Sequence, residues 1–397
     1  MTSALPPLAN RTDRFFPFYA MELVKQALAL EAQGRSVINM SIGEPDFTAP
    51  PAVIEALTQA AQAGKTAYTQ AFGITPLREA IAHYYKTEYG VEIAPERVVV
   101  TAGASAALTL AACALVNPGD KVLLSDPTYP CNSQYINAFD GVPTLIPVSP
   151  ETRFQLTAEL IDAHWSEGVR GTLIASPANP TGTSIPFEEL GKIIETVRAK
   201  GGFTIVDEIY LGLTYDGNAR SALEYGDDII VSNSFSKFFN MTGWRLGWLI
   251  VPPAFVSTFE KLAQHLFICP SALAQHAALA CFTPESMAIY HQRKDEFKAR
   301  RDYIVPALKD LGFGVPVEPD GAFYVYLDCS AFSADSTHFA HHMLQEIGVA
   351  MTPGLDFGVD APERYLRLSY ATQLDQLREA VERMRVWLPT QRLVERR

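Results

Sequence analysis

The sequence predicts an α/β protein, with a large domain built on a mostly parallel central sheet covered by helices and a smaller α+β domain assembled from both chain ends. Three observations carry this reading. Short β-branched runs alternate with longer helical patterns through the middle of the chain. Those runs are apolar almost throughout, as strands are when both faces of their sheet are covered. Outside residues 48–285 the alternation stops, and long helical patterns flank a few isolated strand-like runs.

Taken in order, Phe15 to Gln33 has amphipathic helical spacing that stops at Gly34. Strands are predicted at Arg97–Thr101, Lys121–Ser125, Gly171–Ala175, Phe203–Asp207, Asp228–Ser232 and Leu246–Val251. Helical stretches such as Pro186 to Lys200 join some of them as crossovers. Residues 285–310 read as one long charged helix. Strand-like runs at Ala322–Leu327 and Tyr365–Tyr370 then flank a helix at about 336–347. The predicted division is 1–47 as a segment joining the small domain, 48–285 as the large domain, and 286–397 as the remainder of the small domain. The closing QRLVERR reads as a frayed tail.

Composition bounds the function. The 397 residues are 48% hydrophobic and 19% charged, an ordinary globular balance. A formal charge of −12 gives no general attraction to nucleic acid or to an anionic membrane. Any anion site must therefore be built locally. The five cysteines are scattered without a C-x-x-C pair, which favours buried free thiols over a disulfide framework or a zinc site. The first residues lack the charged-then-apolar pattern of a signal peptide, and the run Ala102–Val116 is short of a membrane span. The expectation is a cytoplasmic enzyme.

The chemistry lies in the residues just past the end of each strand of the large domain. After the first come Gly103, Ala104 and Ser105, opening a small-residue helix whose free N–H groups suit a phosphate. Alone this is weak, because tight strand-to-helix turns use the same residues for packing. Tyr129 comes after the second strand and Asn179 after the third. The fourth ends in Asp207, Glu208 and Tyr210; a buried strand-end carboxylate needs a cationic or hydrogen-bonding partner. The fifth leads to Ser234, Ser236 and Lys237, and Arg245 begins the sixth. Open α/β sheets bind ligands at this edge. A lysine held there among phenylalanines and hydroxyls can lose its proton and attack a carbonyl. Anion donors, a flat ring, a carboxylate, a phenol and an amine form the set that pyridoxal phosphate requires.

Nine strings carry a resemblance: IGEPDF (42–47), YTQAFGITPLREAIA (68–82), TAGASAAL (101–108), DPTYP (126–130), NPTG (179–182), DEIY (207–210), SFSKFFNMTGWRLGW (234–248), DGAFY (320–324) and RLSYA (367–371). In this order the chain resembles the class I/II, fold-type I aminotransferases across nearly its whole length. The resemblance implies pyridoxal 5′-phosphate bound as a Schiff base on Lys237, which also shuttles the proton between the substrate α-carbon and cofactor C4′. It implies that Asp207 pairs with the pyridine nitrogen, that Asn179 and Tyr210 hydrogen-bond the ring oxygen, and that Tyr129 stacks on the ring. By the same resemblance, Ala104, Ser105, Ser234, Ser236 and Arg245 hold the phosphate. Tyr68 matches a tyrosine that reaches the phosphate of a neighbouring subunit, implying a homodimer with shared sites. Arg367 is implied to clamp the substrate α-carboxylate, assisted by Asn179 and the Gly43 backbone. The phosphate turn departs from many relatives in reading Gly-Ala-Ser, a change that leaves its backbone donors intact.

The implied reaction is ping-pong transamination between an α-amino acid and a 2-oxo acid, with 2-oxoglutarate as the expected acceptor. A lyase or synthase on the same fold would share Lys237, Asp207 and Arg245 and diverge after the carbanion. A transcription regulator would need a DNA-binding module ahead of residue 42, for which too little sequence remains. His338, His341 and His342 have metal-like helical spacing, but without a Glu motif a solvated helix face is the expectation. The amino donor stays open. Phe15, Phe16, Phe18 and Tyr129 would suit an aromatic pocket, whereas a dicarboxylate would need a further cation such as Arg14 or a partner-subunit arginine.

Overall fold

The structure is a computed structural model that describes residues 5–217 and 219–391. Its strands are β1 (Ile38–Asn39), β2 (Val98–Thr101), β3 (Lys121–Asp126), β4 (Val142–Pro147), β5 (Val169–Ala175), β6 (Phe203–Asp207), β7 (Ile230–Ser234), β8 (Gly247–Ile250), β9 (Tyr324–Asp328), β10 (Val349–Ala350), β11 (Thr352–Pro353) and β12 (Tyr365–Ser369). Seven of them form the central sheet in the order β2-β8-β7-β6-β5-β3-β4. Pairing from β7 through to β4 is parallel, while β8 runs antiparallel to both β7 and β2. The reversal matters for function. It brings the start of β8 to the edge where β2, β3, β5, β6 and β7 end.

The continuous apolar runs result from two-sided burial. Val98, Val100, Leu123, Ile174, Val206 and Val231 point into one core cluster. Their neighbours Val99, Val122, Leu124, Leu173, Ile205 and Ile230 point into another on the opposite face. A strand alternates its side chains, so a sheet covered on both sides needs apolar residues at both parities.

The two shorter sheets join distant parts of the chain. Strand β12 lies between β11 and β9, antiparallel to both. Strand β1 pairs in parallel with β10, aligning Ile38 with Val349. Long helices run over Tyr19–Ala32, Pro284–Leu311, Ser336–Ile347 and Leu374–Trp387. The Pro284–Leu311 helix ends on Gly312 in the left-handed region, where glycine avoids the Cβ penalty.

Several elements depart from the sequence expectation for identifiable reasons. Strand β4 is absent from that expectation because Pro143 and Pro147 interrupt it; it lies at the sheet edge, where a missing N–H is tolerated. The N-terminal helix begins at Tyr19 and not at Phe15, because Pro17 disfavours helical backbone at Phe16. Strand β7 is displaced two residues from the predicted Asp228–Ser232, which brings Ser234 into the strand. Strands β1, β10 and β11 have two residues each, too few to leave a period in the sequence. Of the predicted tail, residues 392–397 lie outside the described residues. All five cysteines are unpaired, Cys281 and Cys329 buried and the other three half-buried. Among the described residues no helix is long and apolar enough to cross a membrane.

Candidate active site

The loop after β7 is pinned from below. Phe235, Phe238 and Phe239 are buried, and the Phe235 ring packs edge-on against Trp248 at 4.9 Å. Asn240 donates to the Lys237 carbonyl through its backbone N–H at 3.1 Å and its side-chain amide at 3.0 Å. The phenylalanines around Lys237 thus fill the core and leave the amine facing a cavity of about 260 Å³. The Lys237 Nζ donates to the Gly43 carbonyl at 2.5 Å. Burial lowers the amine to about 8; Arg367 and Arg245 push the same way, and Glu44 opposes them.

Asp207 ends β6 against this cavity and accepts the Ile209 N–H at 3.2 Å. Burial pushes its carboxyl up to about 7, while the Ile209 amide and the Lys237 charge pull it down. A carboxyl in that state becomes an anion once a cation is placed beside it. Tyr210 lies three residues on, its hydroxyl 2.8 Å from that of Tyr324. Gly43 must be glycine at this point, since a Cβ there would collide with the Tyr324 hydroxyl.

Arg367, on β12, is 2% exposed. Its Nη1 donates to Asn179 Oδ1 at 2.9 Å and its Nη2 to the Ser41 carbonyl at 2.5 Å. The guanidinium lies 4.6 Å from the Tyr324 ring centre and 4.7 Å from that of Phe357, so aromatic rings hold its plane. Arg245 precedes β8 with φ +53° and donates to the Thr242 carbonyl at 2.9 Å. A Cβ on Gly103, which has φ +83°, would come within 2.5 Å of Arg245 Nη2. The helix opening at Gly103 therefore begins directly against that guanidinium, with Ala104 and Ser105 on the cavity wall. Neither arginine makes an ion pair among the described residues; their partners are carbonyls, an amide and a hydroxyl. The buried Arg97 and Arg300, by contrast, are paired with Asp227 and with Asp46 and Glu296. Two guanidiniums facing one cavity without carboxylates are two places for anions.

Most of the predicted residues converge. Gly43, Ala104, Ser105, Tyr129, Asn179, Asp207, Tyr210, Ser236, Lys237, Arg245 and Arg367 all line the cavity. Ser234 stands behind it: its hydroxyl donates to the Leu246 carbonyl at 3.0 Å and meets that of Ser236 at 2.9 Å, orienting the serine that does line the wall. Tyr68 lies outside the cavity and is 82% exposed. Phe18 and Tyr129 line the wall with rings 6.5 Å apart, whereas Phe15 and Phe16 point elsewhere and are exposed. Arg14 faces Asp140 at 4.0 Å. The sequence reading missed Tyr324, Tyr135, Ser41 and Thr242. Tyr324 ends the string DGAFY, and its place at the start of a strand was the available signal.

The family model for class I and II aminotransferases matches residues 35–384. The chain is a class I and II aminotransferase. It is 38% identical to the valine–pyruvate aminotransferase of Mycobacterium tuberculosis, over 94% of this chain and 97% of the relative. The solved structure of an aminotransferase from Mycobacterium tuberculosis superposes with a TM-score of 0.94 at 37% identity, covering 98% of this chain and all of the other. The aspartate aminotransferase of Thermus thermophilus with maleate gives 0.91 at 32% identity, covering 96% of this chain and all of the other. These neighbours place the fold among the fold-type I aminotransferases.

Aminotransferases of this class use pyridoxal phosphate, and the residues of this one fit it. The unpaired Arg245 beside a helix N-terminus suits a phosphate. The buried Asp207 lacks a cationic hydrogen-bond partner among the described residues and would take a protonated ring nitrogen. The lowered Lys237 suits a carbonyl.

Proposed function

We propose that this aminotransferase moves the amino group of an α-amino acid to a 2-oxo acid by ping-pong transamination through Lys237. One observation carries the reading: Lys237, with its lowered affinity for a proton, shares a cavity with two guanidiniums that have no carboxylate partner. Bound pyridoxal phosphate supplies a carbonyl for Schiff-base formation and a ring that accepts the electrons left at the substrate α-carbon. The chain supplies everything else. Arg245, Ser236, Ala104 and Ser105 hold the phosphate, with Ser234 orienting Ser236. Asp207 would keep a proton on the ring nitrogen, Asn179 and Tyr210 would bond the ring oxygen, and Tyr129 would cover the ring. Arg367 holds the substrate carboxylate, with Asn179 fixing its plane and Gly43 lending backbone. The Lys237 amine, once displaced, would take the substrate α-proton and return it across the substrate nitrogen, to the carbon two bonds from the α-carbon.

The exposed Tyr68 fits a homodimer in which it reaches the partner's phosphate. We retain residues 48–285 as the cofactor-binding domain, with 1–47 and 286–397 forming the smaller one, and a cytoplasmic setting. The acceptor expected from the sequence is 2-oxoglutarate. A second reading, a monocarboxylic acceptor such as pyruvate, is favoured because, among the described residues, the cavity wall carries no cation beyond Lys237, Arg245 and Arg367, each of which already has a role. The test is the absorbance of the purified enzyme with single amino acids, with either oxo acid added afterwards. Collapse of the visible band by an amino acid and its recovery with an oxo acid establishes transamination. A persistent band with release of ammonia and pyruvate points to a lyase. Recovery with only one oxo acid names the acceptor.

A further inference from the structure

We infer that the amino donor carries an uncharged aliphatic side chain, and that Met21 and Val24 are the residues that select it. This rests on the transamination reading and goes beyond it to the class of donor.

The substrate carboxylate and the cofactor phosphate account for both arginines of the cavity. The most continuous apolar part of the wall left for the side chain is supplied by the N-terminal helix and the segment after β1. Phe18, Met21 and Val24, three residues apart, form one stripe along that helix, and Ile42 adjoins them. The neighbouring stripe, Ala20, Leu23, Ala27 and Leu30, is buried and fixes the rotation of the helix. Met21 is 52% exposed and Ile42 is 38% exposed, so apolar surface lies open beside the polar strand ends.

A dicarboxylic donor would need a cation beside this wall, from this chain or from the partner subunit, because an unpaired carboxylate loses its hydration there without replacement. The arginines and lysine described in the first forty residues are directed elsewhere. Arg11 and Arg14 face Asp140, Lys25 pairs with Glu22, and Arg35 bonds the Gln345 carbonyl. Glu44, close enough to Lys237 to oppose the lowering of its amine, accepts from Thr242 and would repel another carboxylate.

The wall is also anchored. Phe18, at the N-cap of the helix, provides no side-chain cap. Asp356 supplies it instead, accepting the N–H groups of Tyr19 at 2.8 Å and Ala20 at 3.2 Å. This acid, 337 residues further along the chain than Tyr19, is a positioning residue for the stripe.

The experiment uses the holoenzyme with single donors and no oxo acid, monitoring decay of the visible band. Leucine, norvaline and methionine should react at least about tenfold faster than aspartate or glutamate at equal concentration, since the acidic side chain must be dehydrated on this wall without a partner. Met21→Ala should lower the leucine-to-alanine rate ratio by about tenfold. Val24→Ala, a separate change on the same stripe, should act in the same direction. Melting shifts give a readout independent of turnover: 4-methylpentanoate should stabilise the holoenzyme more than succinate does. Aspartate or glutamate reacting fastest, with succinate the better stabiliser, would overturn the inference, leave transamination standing and restore the dicarboxylate acceptor. A panel in which no amino acid changes the band would remove transamination and this inference together.

Discussion

On the strand-end side of the cavity, each polar group is held by named partners: Lys237 by Gly43, Tyr210 by Tyr324, and Arg367 by Asn179 and Ser41. On the helix side, Met21 and Val24 offer apolar surface fixed through the packing and capping of one helix, with Ile42 on the same wall. The first arrangement suits chemistry common to every amino acid. The second can change without disturbing the first. On the proposed reading, reaction type and substrate preference are carried by different elements, and a substitution should affect one far more than the other.

Lys237→Ala should give the largest effect, a loss of turnover of about 10⁴-fold or more for every donor, with the visible band lost and far-ultraviolet dichroism unchanged. Substantial residual turnover would remove the lysine from the reaction. Asp207→Asn should cost roughly 10²-fold or more in turnover. It should also change the pH dependence of stability in the cofactor-free protein. The Asp207 carboxyl is raised from 3.8 to about 7, so its contribution is fully present below about pH 4 and is lost as pH rises through 7. The difference amounts to at most roughly 4 kcal/mol. The wild-type melting temperature should therefore fall between pH 5 and pH 8 more steeply than that of the variant. Parallel curves would mean that the folded protein does not hold this carboxyl protonated.

Arg367→Ala should raise KM by about 10²-fold for all donors alike, because it removes charge-assisted bonds to a group that every substrate carries. An effect confined to one donor would move Arg367 to the selective side of the comparison. Cofactor capture by the cofactor-free protein should speed up about tenfold per pH unit towards pH 8 and level off above it, since only the neutral Lys237 amine attacks. Asp356→Asn should give the smallest change, a fewfold drop in the leucine-to-alanine ratio with alanine nearly unaffected. Equal loss for both donors would show that the anchor supports the whole cavity.

The same contrast explains what could be read from the sequence. Strand-end chemistry needs particular residue types, so Asp207, Lys237 and Arg245 were legible in order, with Asn179 and Arg367 added by the resemblance of NPTG and RLSYA. The apolar wall was not, because any aliphatic residue satisfies it and its place depends on where the helix starts. Pro17 decides that start, excluding Phe15 and Phe16 from the wall and leaving Phe18 on it. Tyr324 stood in the string DGAFY without a role, because its contact with Tyr210 spans 114 residues. Strand β4 was hidden by its prolines, and the two-residue strands by their brevity.

The bond between Arg367 and Ser41 spans 326 residues of chain. A ribosome adding about 5–20 residues per second needs on the order of 20–60 s to cover that interval. Throughout most of it, the helix bearing Met21 has neither its Asp356 cap nor the β10 partner of β1. On the proposed assignment, the cofactor pocket around Lys237 and Arg245 can form well before Arg367 is in place to grip a carboxylate. A nascent chain should therefore acquire the ability to hold pyridoxal phosphate before it can recognise an amino acid, and the site matures from its chemistry outward to its selectivity.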